Sequence, residues 1–176
     1  MPSGPDPKRQ IEEAQWEEHR LRRERDSSTP PGPEAVEKTR AFLGDWRRAL
    51  VILRRETTYG LGSLQLAVHG DGRVEADHEP FGTAKGHRAK GRLSEDAVKA
   101  LFEAFVREAF SELFVGRHCG HPDEISLALH LRSAKGVTKA EHKFVLTEHR
   151  RFEALVAQVR EAAAAFDAGT RKKLTL

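Results

Sequence analysis

Three neighbouring side chains in the stretch 116–124 could do chemistry together: His118, Cys119 and His121. Imidazole and thiolate groups are zinc ligands; a structural zinc site uses four protein ligands, and a catalytic site uses three with a water. The cysteine could also act as a nucleophile with a histidine as its base. A metal-dependent or thiol-dependent enzyme centred on this loop is therefore one functional hypothesis.

The spacing of these residues is unfavourable for both kinds of site. His118 and Cys119 are adjacent, which makes them awkward ligands of one ion, and no second CxxC or HxxxH segment supplies further ligands. A catalytic pair is assembled through space and needs a third group that orients the base, which this pattern does not indicate. We favour a solvent-facing loop, no cofactor, and a protein that is not an enzyme.

The residues before this loop predict an antiparallel sheet. Residues 50–53 form a continuous apolar run, and Leu64, Leu66 and Val68 then alternate with other side chains, as in a strand with one buried face. The Gly-Asp-Gly sequence at 70–72 is a strong hairpin signal because glycine accepts positive φ angles. These features predict two or three strands joined by glycine-containing turns.

A second hairpin is predicted after the loop. Residues 125–132 alternate isoleucine or leucine with small or polar side chains, which is typical of a half-buried strand. If Arg132 pairs with Val137 across the turn, His142 shares the leucine face and is the histidine nearest the core. The same pairing turns three residues of the returning strand toward solvent: Lys139, Glu141 and Lys143.

Two amphipathic helices are predicted to cover the apolar face of the sheet. Ser94 is a good N-cap for the first helix, and Thr147 is one for the second. Apolar residues recur in both at helical spacing: Val98, Leu101, Phe102, Phe105 and Val106, then Phe152, Leu155, Val156 and Val159. The predicted fold class is α+β, an antiparallel meander sheet of about five to six strands covered by two amphipathic helices, with a helical or disordered N-terminal arm.

Residues 1–32 predict a flexible, partly helical charged arm. Proline-containing ends flank good helix formers, with glutamates first and arginines last, the order that suits a helix dipole. Trp16 and Leu21 either lie on a solvated helix or anchor a partner. We expect one α+β domain over residues 33–169 and a basic tail over residues 170–176.

Arg88, Lys90 and Arg92 alternate along one predicted strand and would share a face. Such a row could bind an anion or the phosphates of a nucleic acid. The neighbouring antiparallel strand directs Glu75 and Asp77 outward, so ion pairs across the two strands are the simpler interpretation. Nucleic-acid binding through this face is an alternative that we do not favour.

Composition limits the kinds of partner and the cellular compartment that the sequence favours. The chain has 30 Lys and Arg and 27 Asp and Glu residues, a net charge of +3, and this mixture of signs is weak support for a nucleic-acid partner. Its single cysteine cannot form an intrachain disulfide, which favours a reducing compartment. Because no signal-peptide core and no apolar run of about 18 residues is present, we expect a cytoplasmic protein without membrane contact.

The pattern of turns and caps over residues 49–166 resembles a bacterial domain family of unknown function. The matching stretches are an aromatic-glycine turn at 59–60, HGDGRV at 69–74, LSE at 93–95 and FSEL at 110–113. Members typically carry a cysteine in a glycine-rich turn, where this chain has LGS at 61–63, so no redox or tethering role is carried over. The resemblance implies the fold and, because the family has no established activity, it implies no site.

Together these patterns favour a non-catalytic module that contacts another protein, with the N-terminal arm as a candidate tether. The oligomeric state is not indicated by any of them.

Overall fold

The chain folds into a sheet with helices packed on one face. The computed structural model describes residues 7–57, 62–80, 86–116, 125–144 and 148–164. The helices in these ranges are α1 (Pro7–Ser28), α2 (Pro33–Leu43), α3 (Glu95–Arg107) and α4 (Arg150–Ala164). The strands are β1 (Leu50–Thr57), β2 (Gly62–His69), β3 (Arg73–Pro80), β4 (His87–Arg92), β5 (Ile125–Arg132) and β6 (Thr138–Phe144).

Within the described ranges, six antiparallel strands form one sheet in the spatial order β4-β3-β2-β1-β5-β6. The first four strands are a meander, because each pairs with the next along the chain. The β5–β6 hairpin then pairs with the free side of β1. The predicted α+β class and antiparallel meander are confirmed.

Alternation along the strands gives the sheet one apolar side, which we call the inner face. Leu53 of β1 lies opposite Leu66 of β2 and Leu129 of β5, and all three are buried. Because β1 is central, apolar side chains on both of its neighbours extend this surface. The inner face is therefore the base of the hydrophobic core.

Helices α3 and α4 cover the inner face, as predicted. The Ser94 hydroxyl caps α3 by accepting a hydrogen bond from the Ala97 N–H at 3.2 Å. Phe102 and Phe105 of α3 and Val159 of α4 are buried in one cluster with the strand residues. Apolar burial of this kind contributes about 25 cal/mol per Å² of surface removed from water, so these contacts are the main stabilising term.

Helix α2 and the segment that follows it pack beside α3. The buried Thr39 hydroxyl lies 2.7 Å from the Ser111 hydroxyl, which satisfies a polar group at this junction. The Trp46 ring packs on Phe102 with the ring centroids 6.3 Å apart. Trp46 is therefore a packing residue at the edge of the core.

The predicted register of the β5–β6 hairpin was wrong by one residue. Arg132 pairs with Thr138 instead of Val137, because Ser133 donates its N–H to the Val137 carbonyl at 2.8 Å and leaves a three-residue loop that ends at Gly136. Gly136 has a φ of 82°, which this short loop requires. A shift of one residue exchanges the two faces of a strand.

The corrected register reverses the environment of the β6 side chains. His142 is exposed on the outer face, where its ring lies 5.8 Å from that of His130. Lys139, Glu141 and Lys143 are on the inner side, opposite leucines of β5, and Lys143 is only 5% exposed. Among the residues that the structure describes, the buried histidine is His149, which precedes α4.

Candidate partner-binding surface on helix α1

Helix α1 is stabilised locally by charged side chains one turn apart. The Arg20 guanidinium donates to Glu24 at 2.8 Å and to Glu17 at 3.0 Å. Pairs at these spacings contribute about 0.2–0.5 kcal/mol each to a helix. Because α1 has few apolar residues, these pairs and its contacts with the rest of the protein maintain it.

The ring of Phe114, which follows α3, holds the second half of α1. The Arg22 guanidinium lies over this ring at 4.1 Å from its centroid. The His19 ring packs edge to face with the same ring, and the two ring centroids are 5.5 Å apart. A cation over an aromatic face contributes about 0.5–1 kcal/mol at an exposed position. These two contacts fix one side of α1 against the sheet-and-helix body.

The C-terminal end of α1 is joined to the first turn of α4. The Ser27 hydroxyl accepts a hydrogen bond from the Arg150 N–H at 3.0 Å, and the Asp26 carbonyl accepts one from the Arg151 guanidinium at 3.0 Å. The first N–H groups of a helix have no partner within it, so the serine satisfies a donor that α4 leaves open. The end of α1 thus acts as part of the α4 cap.

His149 links α4 to the backbone of Phe114. Its Nδ1 accepts from the Phe152 N–H at 3.3 Å, and its Nε2 donates to the Phe114 carbonyl at 3.2 Å. Because one ring nitrogen accepts and the other donates, this geometry requires the neutral imidazole. Burial lowers the pKa of His149, which favours the same neutral form.

Glu153 completes the cap of α4. Its carboxylate accepts from the His149 N–H at 3.4 Å and pairs with the Lys143 ammonium at 2.6 Å. The hydrogen bond from Lys143 holds the pKa of Glu153 below its ordinary value. This arrangement resembles a capping box in which a histidine takes the place of serine or threonine. Thr147, the predicted cap, lies outside the described residues.

Helix α1 exposes three large apolar side chains. Ile11 is 59% exposed, Trp16 is 46% exposed and Leu21 is 53% exposed. Among the residues that the structure describes, the only other exposed large apolar side chain is Val137, at 57%. We call Ile11, Trp16 and Leu21 the α1 surface.

The residues of the α1 surface lie on two sides of the helix. At about 100° per residue, Ile11 and Leu21 are about 80° apart, whereas Trp16 is about 140° from either. Trp16 lines a shallow groove with Arg20, Arg23 and other residues beside Gly116. The predicted anchors Trp16 and Leu21 therefore cannot enter one narrow groove of a partner together.

The basic residues of β4 contact acceptors on the neighbouring strand and turn. Arg88 pairs with Asp77 at 3.0 Å, and Lys90 lies 3.8 Å from Glu75. The Arg92 guanidinium donates to the backbone carbonyl of the turn residue before Gly72, also at 3.0 Å. Ion pairs across the two strands, the interpretation that the sequence favoured, are thus present.

The residues of the metal or thiol hypothesis, His118, Cys119 and His121, lie outside the described part of the chain. That hypothesis therefore stays a prediction. Elsewhere, no three His, Cys, Asp or Glu side chains of the described residues are grouped so that they could hold a metal ion. Nor is any helix in the described ranges both long enough and apolar enough to cross a membrane.

Sequence reasoning missed the residues that hold α1 in place. The sequence patterns did not single out Phe114, and His149 lay just inside the predicted start of α4. The usual capping-box signal was absent, because it needs Ser, Thr, Asp or Asn three residues before a glutamate, whereas His149 lies four residues before Glu153. The contacts with Arg22 had no local signal, because they join residues far apart in the sequence.

Comparison with protein-family models found no match for this chain, and comparison with curated proteins found none either. The resemblance to a bacterial domain family therefore stays a prediction that rests on its motifs.

Proposed function

We propose that this protein is a non-catalytic α+β domain that binds another protein through the α1 surface. The observation that carries the proposal is the concentration of exposed apolar side chains on α1, a helix that Phe114 holds against the rest of the protein. A cytoplasmic location belongs to the same proposal, because one cysteine favours a reducing compartment.

The attachment of α1 favours binding over a purely solvated role. A free helix with so few apolar residues would lose conformational entropy on meeting a partner. Contacts with Phe114 and the first turn of α4 remove part of that cost in advance. Tryptophan and leucine side chains that are already oriented can then bury apolar area in the complex.

A pair of charge-introducing variants tests the proposal. Ile11→Glu with Leu21→Glu places two carboxylates on the α1 surface, and Val137→Glu makes the same change at the exposed apolar residue of the β5–β6 hairpin. We expect the double variant to reduce capture of a specific partner from cell extract at least about tenfold, a loss of about 1.4 kcal/mol of binding free energy. Val137→Glu should capture that partner as well as the natural protein.

Circular dichroism of both variants provides the folding control, because all three substituted residues are exposed. Equal capture by the double variant and the natural protein would exclude the α1 surface as the binding site.

The two alternative functions predict other measurements. A metal or thiol enzyme predicts stoichiometric metal by elemental analysis, or a reactive Cys119. A nucleic-acid binder predicts affinity that falls steeply with salt and is lost when Arg88, Lys90 and Arg92 are changed to glutamate. A protein-binding module predicts neither result.

A further inference from the structure

Strand β4 is an edge of the sheet that the described residues form, because it pairs with β3 alone. The Leu93 N–H donates to the Gly72 carbonyl at 2.9 Å, and the same register continues back to the start of β4. Along an antiparallel pair, every second residue bonds to the neighbouring strand and the residues between do not. The N–H and C=O groups of Arg88, Lys90 and Arg92 therefore point away from β3, and we call these three residues the β4 edge.

The side chains of the β4 edge are cationic and open to solvent. Those of Arg88 and Lys90 are 78% and 77% exposed, although each contacts a carboxylate of β3. Ion pairs between exposed side chains are weak, so these cations still attract other carboxylates. Arg92 pairs with no carboxylate of the described residues. Its guanidinium donates to the Asp71 backbone carbonyl, while the Asp71 carboxylate pairs with Arg73 at 2.7 Å.

The inner side of β4 leaves room beside the edge. Ala89 packs against the hydrophobic core, and Gly91 has no side chain. The other edge strand, β6, differs because Lys139, Glu141 and Lys143 lie on its inner side. Charges turned inward protect an edge from pairing with another strand. Of the two edges, β4 is therefore the one that can accept an added strand.

The cations decide which strand the β4 edge accepts. A second copy of β4 would place Arg88 and Lys90 against like charges, which destabilises a pair of strands. An acidic strand places carboxylates opposite these cations, and its backbone N–H and C=O groups match those of the edge. A nucleic acid lacks that backbone pattern, and its phosphates would approach Glu75 and Asp77, which lie opposite the same cations.

We propose that the β4 edge binds an extended acidic segment of another protein as an added antiparallel strand. The acidic side chains of that segment lie opposite Arg88, Lys90 and Arg92, and they alternate with apolar side chains beside Ala89 and Gly91. The strand pairs between described residues are all antiparallel, which favours this orientation. The β4 edge shares no residue with the α1 surface, so the inference does not depend on the proposed function.

Synthetic peptides test the β4 edge on the full natural chain. The probe is a fluorescently labelled peptide of about eight residues in which glutamate alternates with valine, the length of an ordinary strand. In the proposed pairing, the glutamate N–H groups of the probe face the protein and its valine N–H groups face solvent. N-methylation of the glutamates should therefore weaken binding at least about tenfold, measured by fluorescence anisotropy. N-methylation of the valines is the matched control and should have a much smaller effect.

A charge reversal in the protein tests the electrostatic part of the proposal. Lys90→Glu should weaken binding of the glutamate–valine peptide at least about tenfold. Lys99→Glu makes the same change at an exposed position of α3 and should bind the peptide as the natural protein does. Both lysines are exposed, so circular dichroism should show that both variants fold.

The peptide comparison uses the natural protein, so it decides the question even if Lys90→Glu folds poorly. Absence of saturable binding by the glutamate–valine peptide, equal binding of the two N-methylated peptides, or unchanged binding by a folded Lys90→Glu variant would overturn the proposal. Tighter binding of a single-stranded oligonucleotide of similar length would also overturn it, because the basic residues would then be a phosphate-binding surface.

Discussion

The two glycines of the β2–β3 turn have different physical roles. A side chain at Gly70 would meet the Trp46 carbonyl oxygen at 1.9 Å, so this position requires glycine because the backbone of another segment approaches it. Gly72 has a φ of 92°, a conformation that other residues rarely adopt. The hairpin prediction was correct, but positive φ explains only the second glycine.

Replacement of these glycines by alanine should separate the two roles. Gly70→Ala must displace the Trp46 backbone, and we expect it to lower the free energy of unfolding by at least about 2 kcal/mol, as overpacking does. Gly72→Ala should cost about 1–2 kcal/mol, the strain of one left-handed residue. Urea unfolding of both variants measures the difference, and a larger loss for Gly72→Ala would contradict the assignment.

His149 predicts a specific dependence of stability on pH. Its folded pKa is below the ordinary value of 6.5, so the unfolded chain binds more protons than the folded chain below that pH. The contribution of the neutral imidazole is therefore complete above pH 6.5 and is lost as the pH falls toward the folded pKa. Groups from neighbouring elements act on this titration: Asp26 raises the pKa of His149, and Arg151 lowers it.

A variant that caps the helix without titrating tests this role. Asparagine is a good N-cap, so His149→Asn should keep the start of α4 but lose the hydrogen bond to Phe114. We expect it to be less stable than the natural protein at neutral pH, with a flatter profile between pH 6.5 and the onset of Glu153 titration at 4.5. Glu153 provides an internal check. Because its pKa is lowered in the folded protein, its contribution to stability is lost only below pH 4.5. Parallel profiles between pH 6.5 and 4.5 would exclude His149 as the titrating group.

At the scale of elements, the inner side of β6 is polar yet satisfied. The Lys139 ammonium pairs with Glu141 at 2.6 Å, and the same carboxylate accepts from the Val115 N–H at 3.1 Å. Lys143 reaches Glu153 on α4. An edge strand with charged residues turned toward the core resists pairing with another chain, which is one way in which sheets avoid aggregation.

The pair between β6 and α4 gives an asymmetric prediction. Glu153→Gln leaves the buried Lys143 ammonium without its partner, and we expect it to cost about 2 kcal/mol, since an unpaired buried charge is unfavourable. Lys143→Met replaces that ammonium by an apolar side chain of similar length and should change the free energy of unfolding by less than about 1 kcal/mol. Chemical denaturation of the two variants provides the measurement, and a more stable Glu153→Gln than Lys143→Met would contradict this view of the pair.

At the scale of the whole molecule, helix α1 is attached to the sheet and the other helices without taking part in the hydrophobic core. None of the described residues of α1 belongs to the hydrophobic core cluster, whose members come from α2, the strands, α3, α4 and the segments between them. The helix is held instead by the Phe114 ring and by polar contacts with α4. These are weak individually, so the body should not depend on α1 to fold.

Deletion of residues 1–32 tests that separation. We expect the shortened chain to keep its circular dichroism signal for the sheet and to unfold cooperatively, because the core remains complete. Its melting temperature should fall by a few degrees, since α4 loses the hydrogen bond to Ser27, a change of about 1 kcal/mol. Loss of cooperative unfolding would show that α1 is part of the folding unit.

Most of the fold could be predicted because it depends on local patterns. Alternating apolar residues identify strands with one buried face, and the Ser94 cap with its following stripe identifies α3. The register of the β5–β6 hairpin could not be predicted, because a loop of three residues and one of four fit the same sequence. The choice depended on the φ of Gly136, and it decided whether His142 or Lys143 faces the core.

The candidate sites, like the fold, could be predicted only where they depend on local sequence patterns. The sequence by itself determined that α1 is a charged helix with few apolar residues, and that basic residues of β4 face acidic ones of β3. Only the tertiary structure decided that Phe114 holds Arg22 and that His149 caps α4 as a neutral imidazole. Side-chain periodicity is a local property of the chain, whereas these pairs join distant segments whose approach is set by how the helices pack on the sheet.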